Sequence, residues 1–581
     1  MQPQWTGLFV TGILFGFAIS RMLAVESNME AETDVSEESI IKSQSMCAGE
    51  QEYVHKRKKI VLASLNGLGV NCTEDSVPNI ALLGSGGGQR AAVGLMGSLY
   101  QIEKEGLLDS MLYLGGVSGS TWTMSFLYDD PEWSKVMNMT MSRLVDSEVD
   151  PDEVLSWLGK RATEEDFSLT DIWGALTSAG IMKQMDLRNL SEEANRNATN
   201  PYPVYSAIEK FFFTEGPVEG KWFEMTPHEA GFTELGFFID TSLLGSKFQN
   251  GELVKRIPEM DMVQLQGILG SALASEGQIV EYIEHWLHVP RVVDATHKLY
   301  LHTYTAVHKV ISMVRGIFSH PSALSDLDEL QKLITDTDKA HQEEHPSHES
   351  KSTEEKQNVF QTWSLKLVSV VENWCKTLPD GPLKTTFTFI NERVLPLIVK
   401  WEWGTTNNYL YKYENSSIPE SLKSMKNIHL MDAGLLMNVP YPSFLGDKRD
   451  IDLFIAPDFS AGEMFETLTL ARDYAAQLKK PFPEIDEKTA EEKAYPEDFY
   501  VFQGKEKEPT IVYLPLFNNR NCKDAEEVKE RMAKFSTFHG PYSKEDTNTL
   551  LKAAKANIEN NKENLLREIN KAALRRQNRE E

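Results

Sequence analysis

The fold of this chain is decided by residues 80–120, which read IALLGSGGGQRAAVGLMGSLYQIEKEGLLDSMLYLGGVSGS. Two apolar runs, at 80–83 and 111–114, each lead into a glycine-rich turn, and the first turn is followed by apolar residues at helical spacing. Short buried strands that alternate with helices are typical of an α/β fold with a parallel sheet. We therefore predict a mostly parallel central sheet with flanking helices. In such sheets the active site lies beyond the carboxyl ends of the strands, where both turns fall.

The composition is that of a large folded protein with an acidic surface. Of the 581 residues, 41% are hydrophobic, which is enough for an extensive core. The formal net charge of −27 makes nucleic acid an unexpected partner, because phosphate backbones reward clustered Lys and Arg. The cysteines are widely separated without a Cys-x-x-Cys pair, so we predict reduced thiols rather than a disulfide scaffold or a zinc site. They are Cys47, Cys72, Cys375 and Cys522.

An uncharged apolar run at 8–19, LFVTGILFGFAI, marks the N-terminus. It is shorter than the about 20 residues that a membrane-spanning helix needs. Its length suits a signal peptide, but the basic residues come after it, which favours a cytosolic location for the rest of the chain. An anchor and a signal peptide both stay open. The predicted organisation is an apolar segment at 1–25, a flexible acidic leader at 26–50, a main domain at 51–560 with a polar surface insertion at 326–357, and a charged helix end at 561–581.

Ser118 lies in the second glycine-rich turn, where small neighbours allow a tight backbone. A serine between a strand and a helix has an accessible hydroxyl, and the helix N-terminus stabilises negative charge that develops there. The pattern is Gly-x-Ser-Gly-Ser rather than the usual Gly-x-Ser-x-Gly. Taken alone, it fits a plain turn as well as a nucleophile.

The first turn contains three consecutive glycines, at 86–88, followed by Arg90. Consecutive glycines allow backbone N–H groups to converge on one point, as an oxyanion hole requires. A nucleotide-binding loop is disfavoured, since no Lys-Ser/Thr and no Gly-x-Gly-x-x-Gly spacing is present. The planar guanidinium of Arg90 suits the oxygens of a substrate phosphate, and a surface salt bridge is the alternative.

A serine nucleophile needs a base, and none of the histidines follows a strand in a comparable way. Asp432 does, because it ends the apolar run at 428–431 and precedes Ala-Gly-Leu. A carboxylate that is partly desolvated at the mouth of a sheet becomes more basic. It could then accept a proton from a serine that attacks an ester. A structural aspartate that caps a turn is the alternative.

Several segments together resemble the group IV cytosolic phospholipases A2, with the gamma group as the nearest. The three signature segments are GSGGGQRA (84–91), GVSGST (116–121) and MDAGLLMNVPYP (431–442). Further similar segments are FEMTPHEAGF (223–232), WEWGTT (401–406) and PDFSAGEMFET (457–467). The resemblance runs from about residue 50 to beyond 560. It implies an α/β-hydrolase-like, patatin-related catalytic domain at 51–560.

The resemblance implies a role for each candidate residue. These are Ser118 as nucleophile, Asp432 as its base in a dyad without histidine, Gly87 and Gly88 as oxyanion-hole donors, Arg90 as the contact for the phospholipid phosphate, and Arg449 as a second basic contact. The expected reaction is hydrolysis of glycerophospholipid acyl esters through an acyl-serine, with activity on lysophospholipids as well. No metal or other cofactor is expected.

The same resemblance implies a partner and a location. The partner is a phospholipid membrane surface, and the location is the cytosol, peripherally on intracellular membranes. The first signature segment begins at residue 84, and the stretch before it is too short for a calcium-binding C2 domain. We therefore expect calcium-independent activity. The chain also ends without a prenylated Cys motif. Two alternatives stay open: a lysophospholipase or transacylase with little A2 activity, and a non-catalytic lipid-binding protein. A patatin-like general acyl hydrolase would share the Ser–Asp dyad but would not explain the segments FEMTPHEAGF and WEWGTT.

Overall fold

The computed structural model describes most of the chain. The described residues are 40–147, 149–274, 321–344, 353–389, 391–392, 397, 402–485, 492–537 and 541–580. The predicted apolar segment at 1–25 lies outside these ranges. The chain divides into two compact units. The sheet unit comprises Thr33–Glu148, Thr177–Ala272 and Gly404–Glu581, and the helical unit comprises Met1–Glu32, Val149–Leu176 and Leu273–Trp403.

Fourteen strands are found in the described part of the chain. They are β1 (Ile40–Lys42), β2 (Ile80–Gly84), β3 (Tyr113–Gly116), β4 (Tyr202–Glu209), β5 (Trp222–Met225), β6 (Glu229–Phe232), β7 (Phe237–Asp240), β8 (Lys247–Gln249), β9 (Glu252–Lys255), β10 (Thr405–Asn407), β11 (Asn427–Asp432), β12 (Leu453–Asp458), β13 (Tyr500–Phe502) and β14 (Thr510–Pro515). Twelve of them form one sheet in the order β1-β7-β6-β5-β4-β3-β2-β12-β14-β13, with β11 beside β4 and β10 beside β11. Strands β8 and β9 form a separate hairpin.

The centre of the large sheet is parallel. Strands β4, β3, β2, β12 and β14 pair in parallel, whereas the strands outside them pair antiparallel. The central strands are mostly apolar, and β2 and β3 are buried at every position. Strands that are covered on both faces by helices read as continuous apolar runs. The predicted fold class, α/β with a parallel central sheet and flanking helices, is confirmed.

The helices of the sheet unit include α1 (Ala48–Gly67), α2 (Gln89–Lys104), α3 (Gly119–Tyr128), α4 (Met137–Asp146), α7 (Lys210–Thr214), α8 (Met262–Leu269), α12 (Glu420–Ser424), α13 (Glu466–Gln477), α14 (Ala525–Lys534), α15 (Lys544–Asn560) and α16 (Lys562–Glu580). Helices α2 and α15 cross closely at Gly97, where an added Cβ would lie 3.0 Å from the Cβ of Ala554. The predicted charged end at 561–581 forms helix α16, which buries Leu565 and Ile569.

The helical unit contains α5 (Pro151–Arg161), α6 (Leu169–Leu176), α9 (Pro321–Glu344), α10 (Thr353–Thr377) and α11 (Pro382–Phe389). The described parts of the predicted surface insertion at 326–357 are therefore helical. This polar stretch contains an apolar stripe, in which Leu327, Leu330 and Ile334 are all fully buried. A spacing of three and four residues brings such side chains onto one helix face. Within the described ranges, no helix is long and apolar enough to cross a membrane.

The predicted flexible leader at 26–50 is ordered in its described part. Ile40 to Lys42 pair with β7, and helix α1 begins at Ala48. Buried contacts explain this, because Ile40 packs into the core and Glu50 forms a buried ion pair. The acidic, serine-rich composition did not reveal either contact.

Candidate active site

The strand register brings the two dyad candidates, Ser118 and Asp432, to the same place. Strand β3 runs parallel to β4 and ends with Gly116 opposite Tyr205. Strand β11 runs antiparallel to β4 and ends with Asp432 opposite Ala207. Because β5 occupies the other edge of β4, strands β3 and β11 lie on one edge with their carboxyl ends facing each other. Ser118 follows the end of β3 by two residues, so it meets the end of β11.

Ser118 has a strained backbone conformation, with φ of 54° and ψ of −126°. A positive φ is uncommon for a residue with a side chain, and such strain is typical of a nucleophile at a strand-to-helix turn. Ser118 caps the N-terminus of helix α3 and is 5% exposed. The next residue must be small, because a Cβ at Gly119 would lie 1.9 Å from the carbonyl oxygen of Gly88. The two glycine-rich turns are therefore in direct contact.

Asp432 is a buried carboxylate with no cation among its partners in the described part of the chain. Its Oδ1 atom accepts a hydrogen bond from the Gly434 N–H at 2.8 Å. Its Oδ2 atom has no hydrogen-bond partner of regular geometry among the described residues. Burial raises the pKa of Asp432 to about 6, whereas interaction with the Ser118 hydroxyl and the Gly434 N–H opposes that rise. The carboxylate therefore adjoins Ser118 and is more basic than an exposed aspartate.

The first glycine-rich turn requires glycine at two positions. Gly87 and Gly88 have positive φ angles of 146° and 60°. A Cβ at Gly87 would lie 2.5 Å from the carbonyl oxygen of Phe459, and one at Gly88 would lie 2.6 Å from that of Thr537. Their N–H groups lie at the start of helix α2, where the helix dipole favours negative charge.

Arg90 lies beneath this turn and is fully buried. It donates from Nε to the Phe459 carbonyl at 2.8 Å, from Nη1 to the Phe535 carbonyl at 2.5 Å, and from Nη2 to Thr537 Oγ1 at 3.2 Å. The burial lowers the pKa of Arg90, and none of these hydrogen-bond partners is a carboxylate. A surface salt bridge is therefore the wrong interpretation of Arg90. Its contact with a substrate phosphate stays a prediction.

Arg449 does not lie in a substrate-facing position, which corrects the prediction that it contacts phosphate. It is fully buried and binds both oxygens of Glu50, at 2.7 and 3.0 Å, and also both oxygens of Glu224. Lys448 binds Glu224 and Glu229 at 2.7 and 3.0 Å. We call these five residues the ionic cluster. Arg449 is committed to protein carboxylates, so it serves to hold helix α1 on the sheet.

One group of three potential metal ligands occurs in the described part of the chain. Cys47, Glu50 and Glu229 have ligand atoms within 4.8 Å of one another. Arg449 and Lys448 already bind the two carboxylates. A further cation there would face two fixed positive charges at close range, so the group carries no argument for a metal centre.

The sequence did not reveal three polar residues that surround the first turn. Asn438 donates through Nδ2 to the Gly86 carbonyl at 3.0 Å and to Ser460 Oγ at 2.6 Å. Ser460 in turn donates to Asp458 Oδ1. Asn438 and Ser460 stand inside segments of the family resemblance, but nothing in their local pattern predicts that they meet.

Comparison with known proteins agrees with this fold. Residues 80–314 match the family model described as lysophospholipase catalytic domain. Cytosolic phospholipase A2 gamma of Mus musculus is 32% identical over 558 residues, covering 90% of this chain and 91% of the relative. The Homo sapiens protein of that name is 33% identical over 542 residues, covering 90% and 94%.

Two solved structures share the fold. Human GIVD cytosolic phospholipase A2 superposes with a TM-score of 0.64 at 22% identity, covering 92% of this chain and 68% of that one. The same protein in complex with methyl gamma-linolenyl fluorophosphonate gives 0.60 at 20% identity, covering 94% and 67%. The sequence matches define the class of the protein, which is that of phospholipid-hydrolysing enzymes.

Within that class, the chain belongs to the cytosolic phospholipase A2 family. The resemblance to the gamma group, first seen in the signature segments, is confirmed by identity over 90% of the chain.

Proposed function

We propose that this protein hydrolyses acyl esters of glycerophospholipids, as a phospholipase A2 with lysophospholipase activity, through a dyad of Ser118 and Asp432. The observation that carries the proposal is the meeting of β3 and β11, which sets a strained serine beside a buried carboxylate whose Oδ2 atom has no regular hydrogen bond among the described residues. Such an oxygen is available to take a proton from the serine.

The proposed reaction proceeds in two halves. Asp432 takes the hydroxyl proton of Ser118 while Oγ bonds to the ester carbonyl carbon. The N–H groups of Gly87 and Gly88 stabilise the oxyanion that forms on the carbonyl oxygen. The bond to the lysophospholipid oxygen then breaks, and that oxygen takes the proton from Asp432. In the second half Asp432 deprotonates a water molecule, whose oxygen bonds to the acyl carbon of the acyl-serine. The bond to Ser118 Oγ then breaks, Oγ takes the proton back from Asp432, and the fatty acid leaves.

Arg90 would interact with the substrate phosphate in this scheme. Its desolvated positive charge beside the turn supports the proposal, since an anion there gains more than in water. None of these steps uses a metal ion, so activity without calcium is part of the proposal. The proposed setting is a phospholipid membrane surface reached from the cytosol.

The first experiment compares the wild-type chain with Ser118→Ala on phosphatidylcholine vesicles in excess calcium chelator. The two acyl chains carry different labels, and free fatty acid and lysophospholipid are both followed. Ser110→Ala is the matched control, because Ser110 is a buried serine whose hydroxyl donates only to Leu107 within the described residues. We expect activity in the wild type and the control and none in Ser118→Ala. The labels then assign the position that is cleaved.

Each of the other outcomes would contradict one part of the proposal. Full activity in Ser118→Ala would overturn the dyad. Activity that chelator removes would overturn the calcium-independent part. A wild type that attacks only lysophosphatidylcholine would favour a lysophospholipase, which the matched family model also names. A wild type that binds vesicles without releasing fatty acid would favour a lipid-binding protein.

The pH dependence tests the base. Asp432 has to be ionised to accept a proton, and its pKa is raised to about 6. We therefore expect kcat/KM to fall about tenfold per pH unit below 6 and to level off above it. An acid limb at the ordinary aspartate value, near about 4, would contradict the assignment. The profile is measured in a neutral detergent–lipid mixture so that the charge of the surface stays constant.

A further inference from the structure

Asn438 holds Gly86, the residue before the two proposed oxyanion donors, from both sides. Its main-chain carbonyl accepts the Gly86 N–H at 2.9 Å, and its side-chain Nδ2 donates to the Gly86 carbonyl at 3.0 Å. Position 86 has no room for a side chain. A Cβ there would lie 2.3 Å from Asn438 Oδ1 and 2.9 Å from Ser118 Cβ. Asn438 and Ser118 therefore both pack directly on Gly86.

The orientation of the Asn438 amide follows from its neighbours. The Ser460 hydroxyl donates its one proton to Asp458 Oδ1, so it can only accept from Asn438. The group that meets Ser460 and the Gly86 carbonyl must then be the NH₂ of the amide. Asp458 is held in turn by the hydroxyl of Tyr513, which donates to Oδ2. This chain of hydrogen bonds begins on two central strands, β12 and β14, and is therefore anchored in the sheet.

The bond from Asn438 to the Gly86 carbonyl also determines where the Gly87 N–H points. Both groups belong to one planar trans peptide unit, in which C=O and N–H point in opposite directions. Glycine offers little steric resistance to rotation of that unit, and both Gly87 and Gly88 have positive φ. Without the Asn438 donor, the Gly86 carbonyl keeps among the described residues only the longer hydrogen bond from the Ser85 hydroxyl, at 3.3 Å. The peptide unit is then free to turn the oxygen toward the site in place of the N–H.

We propose that Asn438 is a positioning residue for the reaction, whose amide keeps the peptide unit between Gly86 and Gly87 turned so that the Gly87 N–H faces the oxyanion. The inference rests on the proposed function. Asn438 contacts the turn and not the reacting atoms, so it acts through Gly87. Its removal is expected to slow the chemical step and to leave substrate binding and the base unchanged.

The test uses two variants of similar size. Asn438→Asp replaces the donor by a carboxylate oxygen, and Asn438→Leu removes the donor without adding charge. Loss of one oxyanion-hole donor costs about 10²- to 10³-fold in kcat. We expect Asn438→Leu to lower kcat about 10²-fold with KM within about threefold, and to keep the acid limb of the pH profile at the wild-type position. Asn438→Asp is expected to lose at least as much.

Asn521→Asp is the matched control. Asn521 is also half-buried, and its Nδ2 also bridges a backbone carbonyl, of Leu516, and a side-chain oxygen, of Asn557. It should change thermal stability to a similar degree and leave kcat unchanged. Labelling of each protein with a lipid-like fluorophosphonate checks the nucleophile. We expect the Asn438 variants to reach one label per chain, at a lower rate than the wild type.

Three results would overturn the inference: kcat of Asn438→Leu within about threefold of wild type, a raised KM with unchanged kcat, or an equal loss of kcat in Asn521→Asp. Failure of the proposed function has a different signature, since the wild type itself would then lack hydrolysis or would be labelled at a residue other than Ser118.

Discussion

Two buried arginines, Arg90 and Arg449, occupy opposite electrostatic surroundings. Both are expected to contact a phosphate, Arg449 from the family resemblance alone, and both side chains are fully buried. Arg449 lies between the carboxylates of Glu50 and Glu224, and its pKa is raised well above the usual value because of them. Arg90 binds only neutral oxygens among its hydrogen-bond partners, and its pKa is lowered by burial.

The difference separates a structural charge from one that is available to a ligand. A buried charge that is paired with protein carboxylates is already neutralised by them, so it does not stabilise a substrate anion. A buried charge without a paired carboxylate keeps its field, and an anion that approaches it is stabilised more than it would be in water. The ionic cluster therefore holds the fold together, while the region around Arg90 keeps a positive potential beside the glycine turn.

The largest expected effect is the loss of stability in Arg449→Met. The substitution leaves Glu50 and Glu224 buried with Lys448 as the remaining cation of the ionic cluster. Removing one partner of a buried ion pair costs about 3–5 kcal/mol. Urea unfolding followed by tryptophan fluorescence measures the change, and activity per folded molecule should stay near that of the wild type.

Arg143→Met is the control for that measurement. Arg143 pairs with Asp129 at 3.4 Å on the surface, where an ion pair contributes about 0–1 kcal/mol. If the two variants lost equal stability, the cluster would not have the structural role assigned to it.

Arg90→Gln should show the opposite behaviour, a large loss of activity on phospholipid. A hydrogen bond to a charged group contributes about 1.5–3 kcal/mol, so we expect kcat/KM to fall about 10²-fold on phosphatidylcholine. A neutral ester without a phosphate should lose much less, and the comparison of the two substrates is the measurement. Equal losses on both would mean that Arg90 supports only the geometry of the turn, through Phe459 and Thr537.

The contrast between the two arginines also explains what the sequence could predict. The turns around Ser118 and Gly86–Gly88, and the strand that ends at Asp432, follow from local patterns of apolar residues and glycine. Their meeting was expected from the general geometry of parallel sheets. In the structure, Asp432 reaches Ser118 at the end of an antiparallel strand, β11. The end of β11 faces the end of β3 on the same edge of β4. The local pattern around Asp432 does not indicate that direction.

Partners that are distant in sequence could not be predicted. Arg449 binds Glu50 and Glu224, which lie 399 and 225 residues away. Nothing near residue 449 distinguishes a guanidinium that faces two carboxylates from one that faces substrate. The role of Asn438 could not be predicted for the same reason, since Asn438 and Gly86 are 352 residues apart in the sequence. The polar composition of the predicted insertion also does not indicate helix α9, whose apolar stripe is short.

Asp432→Asn sharpens the comparison, because Asp432 is a buried charge with no cation among its described partners. Its pKa of about 6 in the folded protein lies above the ordinary value, so the folded state binds the proton more tightly. Stability is then lost as pH rises from about 4 through 6, and the folded protein is about 3 kcal/mol less stable above that range than below it. Asp432→Asn should raise the free energy of unfolding by this amount at pH 8 and leave it unchanged at pH 4. The substitution should also abolish activity. Lower stability of the variant at pH 8 would contradict the assignment.

The smallest effect is expected for Tyr113→Phe, which removes one neutral hydrogen bond that Tyr113 donates to the ionic cluster. The Tyr113 hydroxyl donates to Glu50 Oε1 at 3.1 Å, and Arg449 keeps both oxygens of that carboxylate occupied. Loss of one such hydrogen bond costs about 1 kcal/mol. Tyr100→Phe, which removes an exposed hydroxyl bonded to Asn138, should cost less in the same urea titration. A loss in Tyr113→Phe as large as that in Arg449→Met would show that the cluster depends on its neutral donor as much as on its charges. The distinction between paired and unpaired buried arginines would then not explain the stability of this region.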